Sequence, residues 1–131
     1  MSYRWVDHTA ELELEIEAAS EEAVFKDAAG ALAELLDDGS SAEPVVLELA
    51  LQGVDRALLL ADWLEELVYR AETEDLVPDA AEVLELRRDA VTARLRGHRG
   101  NPPHLVKGVT HHRLSFAPHG DGFRATVVLD V

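Results

Sequence analysis

An α+β fold is predicted for this sequence: a two-layer sandwich, mainly antiparallel sheet with two helices on one face. Three observations predict it. Apolar and polar residues alternate strictly in two stretches, which marks half-buried strands. Two others carry apolar residues at helical spacing, which marks amphipathic helices. The last third of the chain reads as strands joined by short turns, which pair antiparallel and leave one sheet face for the helices to cover.

Taken in order, Leu12, Leu14 and Ile16 alternate with Glu11, Glu13, Glu15 and Glu17, giving a strand with one acidic face. Ser20 is an N-cap, and Glu21 and Glu22 suit the positive end of a helix dipole. Val24, Phe25, Ala28, Leu32, Leu35 and Leu36 then fall on one helical face, and Gly39 closes the segment. Ser40-Ser41 belongs to the turn that follows. Leu47, Leu49 and Leu51 alternate as a second strand. Gly53 and Asp55 precede a longer helix whose buried stripe is Leu60, Trp63, Leu64, Leu67, Val68 and Ala71. Val83–Leu86 and Val91–Leu95 read as two short strands joined near Arg88-Asp89. Gly97–Pro103 reads as a loop, because its glycines and prolines suit neither helix nor strand throughout. Two long strands complete the chain, about 106–116 and 123–131, with Pro118–Gly122 as their turn. Trp5 and Trp63 sit in apolar patterns and are expected in the core.

With 131 residues, 47% of them hydrophobic, the chain is the size of one domain, spanning residues 1–131, and can bury a real core. No apolar run approaches the roughly 20 residues that cross a bilayer, and the N-terminus lacks the apolar stretch of a signal peptide. No membrane association and a cytoplasmic location are therefore expected. Without cysteine there is no disulfide, thiolate metal site or cysteine nucleophile. Twelve Lys+Arg against 26 Asp+Glu give a formal net charge of −14. Such a field repels phosphate backbones, so strong direct nucleic-acid binding is not expected; a cation or a partner with a basic surface suits it. Solubility alone is the plainer account of the acidity.

Three places gather polar groups that a core does not require: Asp7–Glu11, Lys107–His112 and Leu129–Val131. Hairpin arithmetic about Gly120 sets Asp130 opposite Thr110, within a residue or two of Lys107 and His111. Asp130 and the carboxylate of Val131, with Glu11 if the first strand docks alongside, form a hard-oxygen environment suited to Ca²⁺, Mg²⁺ or Mn²⁺. Spacing alone favours plainer accounts, in which Asp130 is a solvated chain-end residue and Glu11 one more outward glutamate. Zinc is not expected: His111 and His112 point to opposite faces, and no His-Glu-x-x-His occurs. His98, His104 and His119 lie in or beside loops and are expected to be solvated. Ser115 lacks a nucleophile elbow, and there is no phosphate loop and no dinucleotide fingerprint. At 5% aromatic content the stacking platforms of single-strand binders are also missing.

Asp7-His8-Thr9-Ala10-Glu11 resembles the archease N-terminal signature Asp-His-Thr-Ala-Asp, followed by the same alternating strand. Val106-Lys107-Gly108-Val109-Thr110-His111-His112 is similar to that family's Ile/Val-Lys-Ala-Val-Thr-Tyr-His. Trp63–Tyr69 resembles its second-helix pattern, and Leu129-Asp130-Val131 its habit of ending on an acid and one aliphatic residue. The likeness runs in register along the whole chain. It departs at Glu11, one methylene longer than the usual aspartate, at His111, where tyrosine is usual, and at His98, where an acid is common.

The resemblance implies an archease-like fold and a protein that is not an enzyme itself but activates one. The enzyme is an RtcB-type RNA-splicing ligase, which uses GTP and a divalent metal ion to join RNA ends through a guanylylated histidine of its own. The helper promotes guanylylation and turnover. Carried over by position, Glu11, Asp130 and Val131 would hold the metal; Asp7, His8, Lys107 and His112 are expected to complete the ligase-activating tip. An alternative attached to the same family is a chaperone-like module that protects a tRNA-modifying methyltransferase from aggregation. A stand-alone metal-dependent hydrolase is disfavoured by the missing nucleophile.

Overall fold

The computed structural model describes residues 2–40 and 43–131, so Ser41 of the expected Ser40-Ser41 turn lies outside them. Among the described residues the elements run β1 (Ser2–His8), β2 (Glu11–Ala18), α1 (Glu21–Leu36), β3 (Pro44–Gln52), α2 (Arg56–Glu74), β4 (Leu76–Leu86), β5 (Ala90–Arg99), β6 (Gly108–His119) and β7 (Gly122–Asp130). The strands form two antiparallel sheets, ordered β1-β2-β7-β6 and β3-β5-β4, with both helices packed against them. The α+β two-layer reading holds, with the expected sheet divided in two.

Caps and stripes explain the helices. Ser20 Oγ accepts from the Ala23 N–H at 3.1 Å, and Asp55 Oδ1 from the Leu58 N–H at 3.0 Å, so both helix starts satisfy donors that would otherwise be orphaned. The predicted stripe of α2 is buried, from Leu60 to Ala71. Trp63 is its anchor: fully buried, edge-on to Phe25 with ring centroids 5.7 Å apart, and donating its indole N–H to the Phe25 carbonyl at 3.1 Å. Trp5 is half-buried and packs against the same core.

Several boundaries differ from expectation, each for a physical reason. The chain before Asp7 forms a strand of its own, β1, whose short apolar–polar alternation includes Tyr3 and Trp5. Its pairing with β2 through a two-residue turn at Thr9-Ala10 makes the strand possible. The two short strands are longer than expected, 11 residues in β4 and 10 in β5. The strand β4 passes through Pro78, tolerated at an edge where the ladder shifts register between Pro78 and Ala80. The expected loop at Gly97–Pro103 loses its first three residues to β5, where backbone pairing with Leu76, Val77 and Pro78 outweighs glycine's low strand propensity. Between β6 and β7 only Gly120 and Asp121 remain as turn, and Gly120, at φ +59, supplies the left-handed first position.

Candidate functional site

In antiparallel pairs, residues directly opposite share a sheet face, so register assigns faces. Leu12, Leu14 and Ile16 of β2 face the helices and core, and the glutamates between them face outward. Four rows cross the outer face: His8–Glu11–Asp130–Gly108, Val6–Glu13–Val128–Thr110, Arg4–Glu15–Thr126–Ser115 and Ser2–Glu17–Arg124–Ala117. The row His8–Glu11–Asp130–Gly108 is the outermost, at the sheet end next to the Thr9-Ala10 turn.

Three of the predicted site residues therefore stand side by side: His8, Glu11 and Asp130. Asp7 does not join them, because its row is Asp7–Leu12–Leu129–Val109 on the opposite face. Lys107 is exposed immediately before β6, and its backbone N–H donates to the Asp130 carbonyl at 2.7 Å. Val131 follows at the same end, its N–H donating to the Ala10 carbonyl at 3.1 Å.

Asp130 lies opposite Gly108, two residues from the expected Thr110. Between Thr110–Val128 and Ser115–Thr126 the strand β6 takes five steps while β7 takes two. This excursion, a bulge, carries Arg113 into the left-handed region at φ +56, and the side chains of His112 and Arg113 reach Glu11 and Glu13 of β2. Ala10, beside Glu11, is also left-handed at φ +60. His111 and His112 are both exposed, and His112 Nδ1 comes within 3.4 Å of Glu11 Oε2.

Cations from three strands cover the glutamates. Arg113 Nε donates to Glu13 Oε1 at 2.8 Å, and its Nη2 lies 3.7 Å from Glu11 Oε1. His8 Nε2 lies 3.4 Å from Glu13 Oε1, Arg4 pairs with Glu15, and Arg124 reaches Glu15 and Glu17. Burial pushes the Glu13 pKa up, but the hydrogen bond and charge of Arg113, with His8, outweigh it and hold the carboxyl below its ordinary range. Among the described residues no cationic side chain reaches Asp130 within ion-pair distance. Nor do three His, Asp or Glu side chains there converge as a ready-made metal cluster. The donor chemistry, two carboxylates abreast at a strand end, still fits a hard divalent ion, with backbone carbonyls and water completing its shell.

A second polar cluster escaped the sequence reading. His98 is not solvated: it is only 7% exposed in β5, next to Val77 of β4. Its Nδ1 lies 2.9 Å from Asp79 Oδ2, and its Nε2 lies 3.6 Å from Asp38 Oδ1, in the segment after α1. The hydrogen bond to Asp79, added to the two negative charges, raises its pKa against the opposing effect of burial. Asp38 accepts from the Ser40 hydroxyl at 2.6 Å, the Asn101 N–H at 2.8 Å and the Ser40 N–H at 2.9 Å, which hold its carboxyl well below the usual range. Position next to Gly97, Gly100 and two prolines disguised this residue as a loop histidine. His104 and His119 are exposed, as expected.

Comparison with known proteins bears on the whole chain. The model of the Archease protein family matches residues 3–131. The chain is 30% identical to the protein archease of Methanosarcina barkeri, covering 98% of this chain and 95% of that one. It is also 30% identical to the protein archease of Methanopyrus kandleri over the full length of both. Among solved structures, Methanobacterium thermoautotrophicum protein 1598 aligns with a TM-score of 0.74 and 26% identity over 98% of each chain. An archease from Thermotoga maritima, described as a possible chaperone, shares the fold with a TM-score of 0.72 and 21% identity, over 96% of this chain and 94% of that one. On sequence, residue coverage and fold together, this chain belongs to the archease family.

Proposed function

We propose that this protein is not itself an enzyme but activates an RtcB-type, GTP-dependent RNA-splicing ligase, promoting its guanylylation and turnover through a divalent-metal-binding acidic tip. The observation that carries this reading is the outermost row of the outer face, where Glu11 and Asp130 stand abreast with His8 on one flank and Lys107 on the other. Glu11, Asp130 and Val131 would hold Ca²⁺, Mg²⁺ or Mn²⁺, and the ion would supply a concentrated positive charge for phosphate oxygens of the partner's nucleotide. The protein's own groups do the rest. His8 and His112 flank the carboxylates as donors, Lys107 adds a mobile charge, and the strands fix these groups on a rigid end. Net charge −14 draws the body toward a basic RNA channel and raises the rate of encounter.

The test is GTP-dependent guanylylation of the cognate ligase under multiple turnover, with and without this protein. Stimulation is expected, and Asp130→Ala is expected to abolish it while leaving the fold intact, since Asp130 is exposed and unpaired among the described residues. Full stimulation by that variant refutes the role of the tip.

A second reading is a chaperone-like module for a tRNA-modifying methyltransferase. It is favoured by the exposed face of α2, where Leu58 and Tyr69 flank Asp62 and Glu65 at spacings of four, three and four. That reading expects suppression of client aggregation, measured by light scattering, to survive Asp130→Ala and to fail in Tyr69→Ser.

A further inference from the structure

Arg113 has two features that a solvated surface arginine does not require. Its backbone is left-handed at φ +56, a conformation that glycine adopts freely and a side-chain-bearing residue adopts at a cost. Its side chain reaches across β7 onto β2, where the guanidinium is shared by two carboxylates from neighbouring rows. Nε is bonded to Glu13 Oε1 at 2.8 Å, and Nη2 stands 3.7 Å from Glu11 Oε1. Nη1 rests 3.3 Å from Nε2 of His112, which itself faces Glu11. Glu11 is thus held by a resident cation, whereas Asp130, its row neighbour, has none within reach among the described residues.

A guanidinium and a divalent ion compete for the same oxygens, because each is attracted by the same negative charge and neither shares a carboxylate oxygen without losing part of that attraction. We propose that Arg113 is a built-in competitor cation: it occupies Glu11 while the tip is free of metal and must release it, pivoting on Glu13, when a divalent ion binds. This rests on the metal-binding reading of the tip and adds the residue that sets its affinity. Glu13 is the pivot. Its carboxylate lies one row inward, bonds the near end of the guanidinium, and leaves the far end free to leave Glu11. The strained bulge keeps the arginine within reach in both states. A tip built this way binds its ion weakly and reversibly, as a site that exchanges metal with a partner requires.

The experiment is calorimetric titration of Mn²⁺ into the intact protein at fixed ionic strength, with Asp130→Ala locating the binding event. Arg113→Gln keeps a donor for Glu13 and removes the charge, and is expected to tighten binding about tenfold. Arg113→Lys, which restores a charge on a flexible stem, should return affinity to within about threefold of the parent. Arg124→Gln makes the same change in net charge two to three rows away and should alter affinity by less than about twofold. Equal effects of Arg113→Gln and Arg124→Gln, or weaker binding by Arg113→Gln, would overturn the proposal while leaving the metal reading intact. Absence of saturable binding by the parent and all variants, at unchanged thermal stability, would overturn both together.

Discussion

Replacing His98 with glutamine tests whether the Asp38–His98–Asp79 bridge is a charged clamp or ordinary packing. The imidazole is 7% exposed; Asp79 Oδ2 lies 2.9 Å from Nδ1 and Asp38 Oδ1 lies 3.6 Å from Nε2. A hydrogen bond to a charged group contributes about 1.5–3 kcal/mol, and an ion pair near 4 Å about 1 kcal/mol when one partner is well solvated. The Asp79 side chain is 53% exposed, so the lower part of each range applies, and the protonated bridge is worth about 2 kcal/mol. Glutamine keeps one donor, so the variant loses roughly 1–2 kcal/mol, or about 4–8 °C in Tm at this chain length. The pH dependence decides the matter. The folded-state pKa of His98 is raised, so its stabilisation is complete below the unfolded value of about 6.5 and disappears as pH climbs through the higher folded value. Unfolding followed by circular dichroism at pH 5.5, 7 and 9 should therefore show a difference between parent and variant that is largest at pH 5.5 and nearly gone at pH 9. A difference independent of pH, or one that grows toward pH 9, would refute the charged clamp.

Three further predictions concern the frame that carries the tip. Trp63→Phe should cost about 2–3 kcal/mol in chemical denaturation, because it leaves the buried Phe25 carbonyl without the indole donor and removes ring volume from the core. Gly122→Ala should cost about 1–3 kcal/mol, since a Cβ there meets the Ala18 carbonyl, a backbone group that cannot rotate away; a Tm equal to the parent's would contradict that approach. Val128 is fully buried on the charged outer face, away from the cluster under the helices. Val128→Ala should cost about 1–2 kcal/mol by thermal melting.

The fold was legible where one physical signal ran for a whole element. The β2 alternation, the stripe from Leu60 to Ala71 and the cap at Ser20 stand in the structure as read from the sequence. Legibility failed where a partner strand decided the outcome. Tyr3 and Trp5 make too short a pattern to announce β1, and Gly97 looks like a loop residue until Pro78 and Val45 pair across it. At the site, Glu11 and Asp130 were readable as a meeting of strand ends, and β2–β7 pairing aligns them; the bulge in β6, which brings Arg113 to Glu11 and Glu13, was not readable, because a non-glycine residue at positive φ leaves no mark in sequence. Arg113, which follows two conspicuous histidines, and Asp38, 60 positions before His98, are joined to their partners only by tertiary structure.

The bulge in β6 also separates two kinds of inheritance along one hairpin. On the turn side, register follows from the two-residue connection at Gly120-Asp121; on the far side β7 is also held by β2, which aligns Glu11 with Asp130 independently of that turn. The three surplus residues between them act as an expansion joint. A change of length at the hairpin end can be taken up there before it reaches the outermost row, so the carboxylates at the other end keep their places.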